Sequence, residues 1–479
     1  MNFPRIARFR TVDDLRSHCT AIAAPIPLDD VVLDAAEGSP LAAPIAIGGR
    51  RAGNRWCIHP MEGWDATADG LPTDTLLRRW RNFGLSGAKL IWGGEAVAVL
   101  PEGRANPNQL SAPALGRGGF GTLVATVREA HRARYGADDD FVVAIQLTHS
   151  GRFSKPTKAG WQPRIAYHHP LLDARHHVDP QDAGCVLSDD DVERLIDRYV
   201  AAARDAEAGG FDMVDLKACH GYLVHEFLSA RRRPGRFGGD FAGRTRLLRT
   251  LVARVREEAP SLAIGVRLSL FDSVPWHKVG DHGEPWPFAD ALPYDCGFGV
   301  DADDPTRIDL AEPIRLLEEL RDAGVAAVNL SAGSPYTVPH VTRPAAFPPS
   351  DGYPPPEDPL VGVWRQIEAA ARAKAAVPGL VMVGSGYTYL QEYVAHAAQA
   401  AVRTGMIDIV GLGRMVLSYP ELPADALAGK TLTRNRICRT FSDCTTAPRN
   451  GLRSGCYPLD DFYKQLEPEA SRLKSIKNA

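Results

Sequence analysis

The 479-residue chain predicts an α/β fold, a (β/α)₈ or TIM barrel with an N-terminal hairpin and extension and a cysteine-containing C-terminal tail. Three observations carry this. Short apolar runs alternate with helical patterns eight times from Asn54 onward. The runs are nearly continuous in apolar residues, as strands buried on both faces are. Polar, glycine-bearing segments follow them, at the end where such barrels carry function.

Residues 1–45 read as a peripheral extension. Thr11 caps a short helix with Asp13 and Asp14 in its first turn. Pro25, Pro27, Gly38, Pro40 and Pro44 then interrupt regular structure. Residues 45–55 read as a hairpin turning on Gly48-Gly49, placed to plug the bottom of the barrel. Strands are expected at 55–59, 88–92, 141–147, 211–216, 262–268, 325–330, 380–383 and 407–411. Helices are expected at 74–84, 118–134, 188–208, 243–258, 311–323, 360–375 and 388–404, with one more after 413. The third helix shows the rule: Ser188 caps it, Asp191 answers from the third position, and Val192, Leu195, Ile196, Tyr199 and Val200 keep the 3.6 period. Two connections are too long for plain loops, 150–187 and 269–305. The second carries Pro275, Trp276, His277, Trp286, Pro287 and Phe288, and reads as a cap over the barrel mouth. The barrel domain is expected over 46–430, with a C-terminal extension over 431–479.

Composition narrows the partners. The chain is 44% hydrophobic and 24% charged, with a net charge of −3. It has no basic stripe, which argues against nucleic acid. Its longest apolar runs are strand-sized, which argues against a membrane span. Met1–Arg10 leads into no apolar signal segment, and eight cysteines are too few for a disulfide scaffold. A cytoplasmic location, reduced thiols, a small-molecule substrate and a homo-oligomer are expected.

The strand ends hold the chemistry. Gln146 offers a donor and an acceptor from a buried position. Arg267 ends an apolar strand and needs an acceptor, because a guanidinium keeps its charge when buried. Gly384-Ser385-Gly386 and Gly411-Leu412-Gly413-Arg414 end the last two strands, where barrels build phosphate sites from backbone N–H groups. Asp215–Leu223 places Lys217, His220 and Tyr222 within six residues at the end of the fourth strand.

In this order the motifs resemble the Old Yellow Enzyme family of flavin-dependent oxidoreductases, over about residues 45–430. Asn54–Met61 resembles its first strand, whose Pro60-Met61 backbone would lie against the flavin. Glu62 stands where the family usually has Thr or Cys. Gly93-Gly94 matches the second strand end. Gln146–Arg152 is similar to Q-L-x-H-x-G-R, which implies a contact from Gln146 to the pyrimidine edge of the flavin. Arg267 matches the arginine at its N1/C2 edge. Gly384, Gly386, Gly413 and Arg414 match the phosphate loops. His220-Gly221-Tyr222-Leu223 is kept, implying that His220 grips a substrate oxygen and Tyr222 protonates carbon. Lys217 replaces the first histidine of the pair. An ammonium there can bind an enolate oxygen, select a carboxylate, or pair with Glu62. The resemblance implies FMN, NAD(P)H as reductant, and hydride transfer from flavin N5 to an activated C=C, or the reverse desaturation, of a small and even anionic substrate. Two other readings use the same residues: a flavin-free lyase or aldolase with Lys217 as nucleophile, and a catalytically idle flavin-binding scaffold.

In the tail, Cys438, Cys444 and Cys456 resemble part of a four-cysteine set that holds a [4Fe–4S] cluster in multidomain relatives. A cluster normally wants four thiolates; zinc and plain thiols are the other readings of these three.

Overall fold

A computed structural model describes residues 3–280 and 282–478. Eight parallel strands close a barrel: β1 (Trp56–Ile58), β2 (Leu90–Ile91, continued by Ala96–Ala98), β3 (Val142–Thr148), β4 (Met213–Ala218), β5 (Ala263–Ser269), β6 (Ala327–Ser331), β7 (Val381–Gly384) and β8 (Ile409–Leu412). β8 pairs with β1 through Val410 and Trp56, and Leu90 of β2 pairs with Val142 of β3, so the ring has no free edge. All eight expected strands form.

The helices between them are α1 (Asp74–Gly84), α2 (Ala112–Tyr135), α3 (Asp189–Gly209), α4 (Phe241–Glu258), α5 (Ala311–Asp322), α6 (Pro359–Ala376) and α7 (Val394–Arg403). α3 begins with the expected capping box between Ser188 and Asp191. α2 starts earlier than its hydrophobic pattern suggests, because Gly116 (φ 49°) kinks a first turn onto the main helix.

The strands bury both faces. Trp92, Val142, Ala144, Met213, Ala327, Val383 and Ile409 fill the interior, while the outward faces pack on the helices. The hairpin Ile45–Ile47/Arg50–Ala52 closes the bottom, with Ile47 and Ala52 in the interior cluster. Gly48 (φ 54°) needs its missing side chain there, since a Cβ would lie 2.7 Å from Ala263.

One expectation is corrected. Residues 276–285 form a small hairpin, Trp276–Val279 with His282–Pro285, but no described residue of 269–305 lines the main cavity. Its aromatic content serves packing instead: Trp276 lies against His340 at 4.6 Å. The tail ends in a helix, Glu469–Asn478, and is anchored upstream of it. Arg78 of α1 grips Asp460 in a bidentate pair at 2.9 and 3.0 Å and lies over the Phe462 ring. Thr440, Ser442 and Thr446 bond the 346–350 segment. The tail is thereby held at the barrel mouth.

Candidate active site

One cavity of about 240 Å³ opens at the C-terminal ends of the strands. Strand register explains who meets there. Gln146 is opposite Asp215, and Lys217 and Asn329 flank Arg267 on either side. Pro60, Met61, Glu62, Gln146, Lys217, His220, Tyr222, Arg267, Gly386, Gly413 and Arg414 all line it. Gly94 and Gly384 do not. Gly94 (φ 47°) fits under Trp80, where a Cβ would come within 2.8 Å of the ring, and its carbonyl accepts from Met61 N at 3.2 Å. It therefore positions Met61. Of the tail cysteines, Cys444 lines the cavity.

The wall bearing Glu62 is pinned by buried charges. Arg79 of α1 donates to both oxygens of Asp65 at 2.9 and 2.7 Å and to Glu95 at 2.8 Å, and Glu95 accepts from Gly63 N at 2.9 Å. Burial and the nearby Asp65 push the Glu95 carboxyl up, against the pull of Arg79. Glu62, carried on this loop, accepts from Lys217 Nζ, from Tyr222 OH at 2.7 Å and from Trp64 Nε1 at 3.2 Å. Of the three partners an ammonium can take at position 217, the structure supplies Glu62.

His220 (φ 66°) and Gly221 (φ 73°) turn the chain sharply after β4. The left-handed backbone at a histidine is strained and is held by His220 N donating to Ser269 Oγ at 3.1 Å. The imidazole Nε2 bonds Ser331 Oγ at 2.9 Å. Burial, then Arg267 and Lys217, drive its pKa well below the ordinary range, so the ring is neutral. Tyr222 is driven well above its ordinary value by burial and by the Glu62 carboxylate, so it keeps its proton. Its oxygen also meets Tyr336 OH at 3.1 Å, and Phe153 stacks on Tyr336 at 4.2 Å.

Gln146 donates to Asp215 at 2.5 Å, and burial raises that carboxyl to about 6. His59 contacts Asn329 at 3.0 Å and Ser385 at 3.1 Å, with Gly411 so close that a Cβ would lie 2.0 Å from the ring. At the far end Arg343, Arg414 and Arg449 converge. Arg343 Nε and Nη2 and Arg414 Nη1 are buried without a hydrogen-bond partner. Burial, Arg414 and Arg449 pull the Arg343 guanidinium down to about 9, against the weaker pull of Asp351, which pairs with Arg449. Such a cradle of open cationic N–H groups, beside Gly386 and Gly413, fits a phosphate monoester.

The sequence reading missed Trp64, Arg79, Tyr336, Arg343 and Arg449. The first two follow or face Glu62, and the next two lie in the segment after β6. Arg449 comes from the tail. A single signal was present: arginines in segments otherwise rich in Pro and Gly. The tail cysteines line a small cavity with Arg414 and Phe441. They do not support a [4Fe–4S] cluster. Three thiols are present where four are needed, and no group of three or more His, Cys, Asp or Glu is placed to hold a metal ion among the described residues.

A closed parallel barrel with charged and glycine-bearing strand ends around one cavity places this chain in the class of (β/α)₈ barrel enzymes. The family model described as NADH:flavin oxidoreductase / NADH oxidase family matches residues 40–289, more than half of the chain, and the chain belongs to that family. The resemblance to Old Yellow Enzyme is thus borne out, and the protein is a flavin oxidoreductase. It is 26% identical over 400 residues to an NADH:flavin oxidoreductase of Gibberella zeae, covering 79% of this chain and 83% of that one. It is 25% identical over 421 residues to an NADH oxidase of Thermoanaerobacter brockii, covering 84% of this chain but only 55% of the relative. Among solved structures, the old yellow enzyme homologue from Zymomonas mobilis matches with a TM-score of 0.57 at 22% identity, over 82% of this chain and 94% of that one. A 2-naphthoyl-CoA reductase matches with a TM-score of 0.65 at 17% identity, over 90% of this chain and 58% of that one. These two likenesses speak for the fold. Among the described residues no helix is long and apolar enough to cross a membrane.

Proposed function

We propose that the protein reduces an activated C=C of a small substrate, or runs the reverse desaturation, with FMN in the cavity and NAD(P)H as reductant. The observation that carries the reading is the single cavity joining an anion cradle at one end to His220 and Tyr222 at the other. FMN supplies hydride chemistry when bound. Arg343, Arg414 and the amides near Gly386 and Gly413 would hold its phosphate. Arg267 would face its electron-rich edge, since its Nε lacks a partner. Gln146 keeps its amide oxygen for the ring after donating to Asp215. The backbone of Pro60 and Met61 walls the other side, with Pro60 O near Arg267 Nη1 at 3.5 Å.

On the substrate side, neutral His220 donates a hydrogen bond to the activating oxygen, where charge builds up. Tyr222, kept protonated, delivers a proton to carbon. Lys217 is committed to Glu62, so it is the counter-charge of that carboxylate rather than an open grip for an anionic substrate. The same pairing disfavours a nucleophilic lysine, which requires an uncharged amine.

The test follows two steps separately under anaerobic conditions, flavin bleaching by NADPH or NADH and its recovery with 2-cyclohexen-1-one. Tyr222→Phe should leave the first intact and slow the second by about 10²–10⁴-fold. Normal recovery in this variant removes Tyr222 from the role.

A further inference from the structure

The two residues at which the barrel mouth departs from the Old Yellow Enzyme pattern, Glu62 and Lys217, are bonded to each other, and the carboxylate also accepts from Tyr222 at 2.7 Å. We infer that Glu62 is the proton shuttle between solvent and Tyr222, with Lys217 as the counter-ion that keeps its carboxylate in place. This rests on the reading of Tyr222 as the proton donor.

Exposure sets the direction of the path. Tyr222 is 2% exposed and the Lys217 side chain 3%, while the Glu62 side chain is 15% exposed. Once Tyr222 has given its proton to carbon, bulk water does not reach the phenolate directly. Glu62 is the carboxyl in hydrogen-bond contact with it and the most exposed of the three side chains. Tyr336, the other hydrogen-bond neighbour, is itself pushed up by burial and by Glu62, which makes it a poor source.

The proton balance closes. The phenolic O–H breaks as the substrate C–H forms, the Glu62 carboxylate takes a proton from water, and the Glu62 carboxyl so formed passes it to the phenolate, which returns both groups to their starting state. The hydride comes from NAD(P)H by way of FMN, so substrate gains two electrons and two protons' worth of hydrogen in all. The reverse direction sends the proton outward along the same atoms.

Charge also sets the resting state of the phenol. Lys217 Nζ lies 3.6 Å from the centre of the Tyr222 ring. That ammonium by itself favours a phenolate. The Glu62 carboxylate between the two offsets it. The other charged or titratable groups facing the network are Glu95 with Arg79 behind Glu62, Cys219, His220 and Arg267 beside Lys217, and Arg449 behind Tyr336. Among the described residues Glu62, and none of these, bonds both Lys217 and Tyr222.

The experiment uses flavin-loaded protein at matched flavin content. Tyrosinate absorbance is titrated against pH in the wild type, Glu62→Gln and Lys217→Met, with the matching Tyr222→Phe double variants as blanks. Glu62→Gln should bring the Tyr222 signal to lower pH by at least about one unit, because the ammonium then acts unopposed; Lys217→Met should drive it to higher pH. In the same preparations, flavin bleaching by NADPH is recorded for each variant as the reference against which its recovery is read. Recovery of Glu62→Gln with 2-cyclohexen-1-one should fall at least about tenfold and lose its wild-type pH profile, with partial rescue in Glu62→Asp. An unmoved Tyr222 titration, or wild-type recovery rates in Glu62→Gln, overturns the shuttle. Normal recovery in Tyr222→Phe overturns the donor role instead, so the two failures are read separately. Wild-type protein inert to the enone counts against the alkene reading, and the titration still decides the coupling of Glu62 to Tyr222.

Discussion

Replacing Arg343 by Met should make the flavin-free protein more stable and the flavin-bound protein less so. Arg343 carries two buried N–H groups without partners, beside the guanidinium groups of Arg414 and Arg449. Its fall to about 9 corresponds to roughly 4–5 kcal/mol against an ordinary arginine, an upper bound on what the charge costs the empty cradle. Relaxation and the lost bond to Thr445 Oγ1 reduce the gain, leaving about 1–3 kcal/mol. With FMN bound the sign reverses. Two charge-assisted hydrogen bonds to a phosphate contribute roughly 1.5–3 kcal/mol each, so their loss raises the Kd for FMN by about 10²–10⁴-fold. The assay is thermal unfolding of apoprotein with and without FMN, together with titration by FMN and by riboflavin. The variant should discriminate less between the two ligands, because the phosphate is what separates them. Equal FMN affinity in variant and wild type, or an apo variant destabilised as much as the holo form, refutes the reasoning.

Gly411→Ala would press a Cβ into the His59 ring at 2.0 Å, and should cost about 1–3 kcal/mol in unfolding free energy; a fully stable variant shows that His59 can swing aside. Asp460→Ala removes the bidentate partner of Arg78, a part-buried pair, for about 1 kcal/mol in global stability, and should appear chiefly as faster proteolysis of the tail. Acid should destabilise the protein from about pH 6.5 downward. Burial holds His59, His149 and His220 below the ordinary histidine range, His149 at about 3. The unfolded chain takes up these protons before the folded one does, so stability is present above about pH 6.5 and falls with pH by up to about 1.4 kcal/mol per unit per histidine. Asp215, raised to about 6, acts in the opposite sense and blunts the slope between about pH 6 and pH 4. A Tm that is flat or rises from pH 7 to pH 5 contradicts this.

The barrel was legible because its signals are local. Each strand is a short apolar run and each helix repeats at 3.6 residues, so periodicity alone places Val142–Thr148 or Asp189–Gly209 to within a residue or two. Lys217, His220 and Tyr222 were legible because they sit at a strand end, where the fold fixes their direction. What contacts them was not. Tyr336 reaches Tyr222 from a loop more than a hundred residues away, with Arg449 of the tail over its ring, and loop path has no periodicity to read. The aromatic excursion after β5 looked like a cap because Trp and Pro mark both lids and packed surface hairpins. The pairing of Glu62 with Lys217 was one of three partners open to a buried ammonium, and the loop after β1, pinned by Arg79, selects it by carrying Glu62 to the end of β4.

The most direct measurement is of bound flavin. Purified protein, or apoprotein given FMN, should show the yellow absorbance of bound flavin. Denaturation should release about one FMN per chain, and the band should bleach with NADPH or NADH in the absence of oxygen. A colourless protein that takes up no FMN, or one whose bound flavin neither nicotinamide reduces, would contradict it.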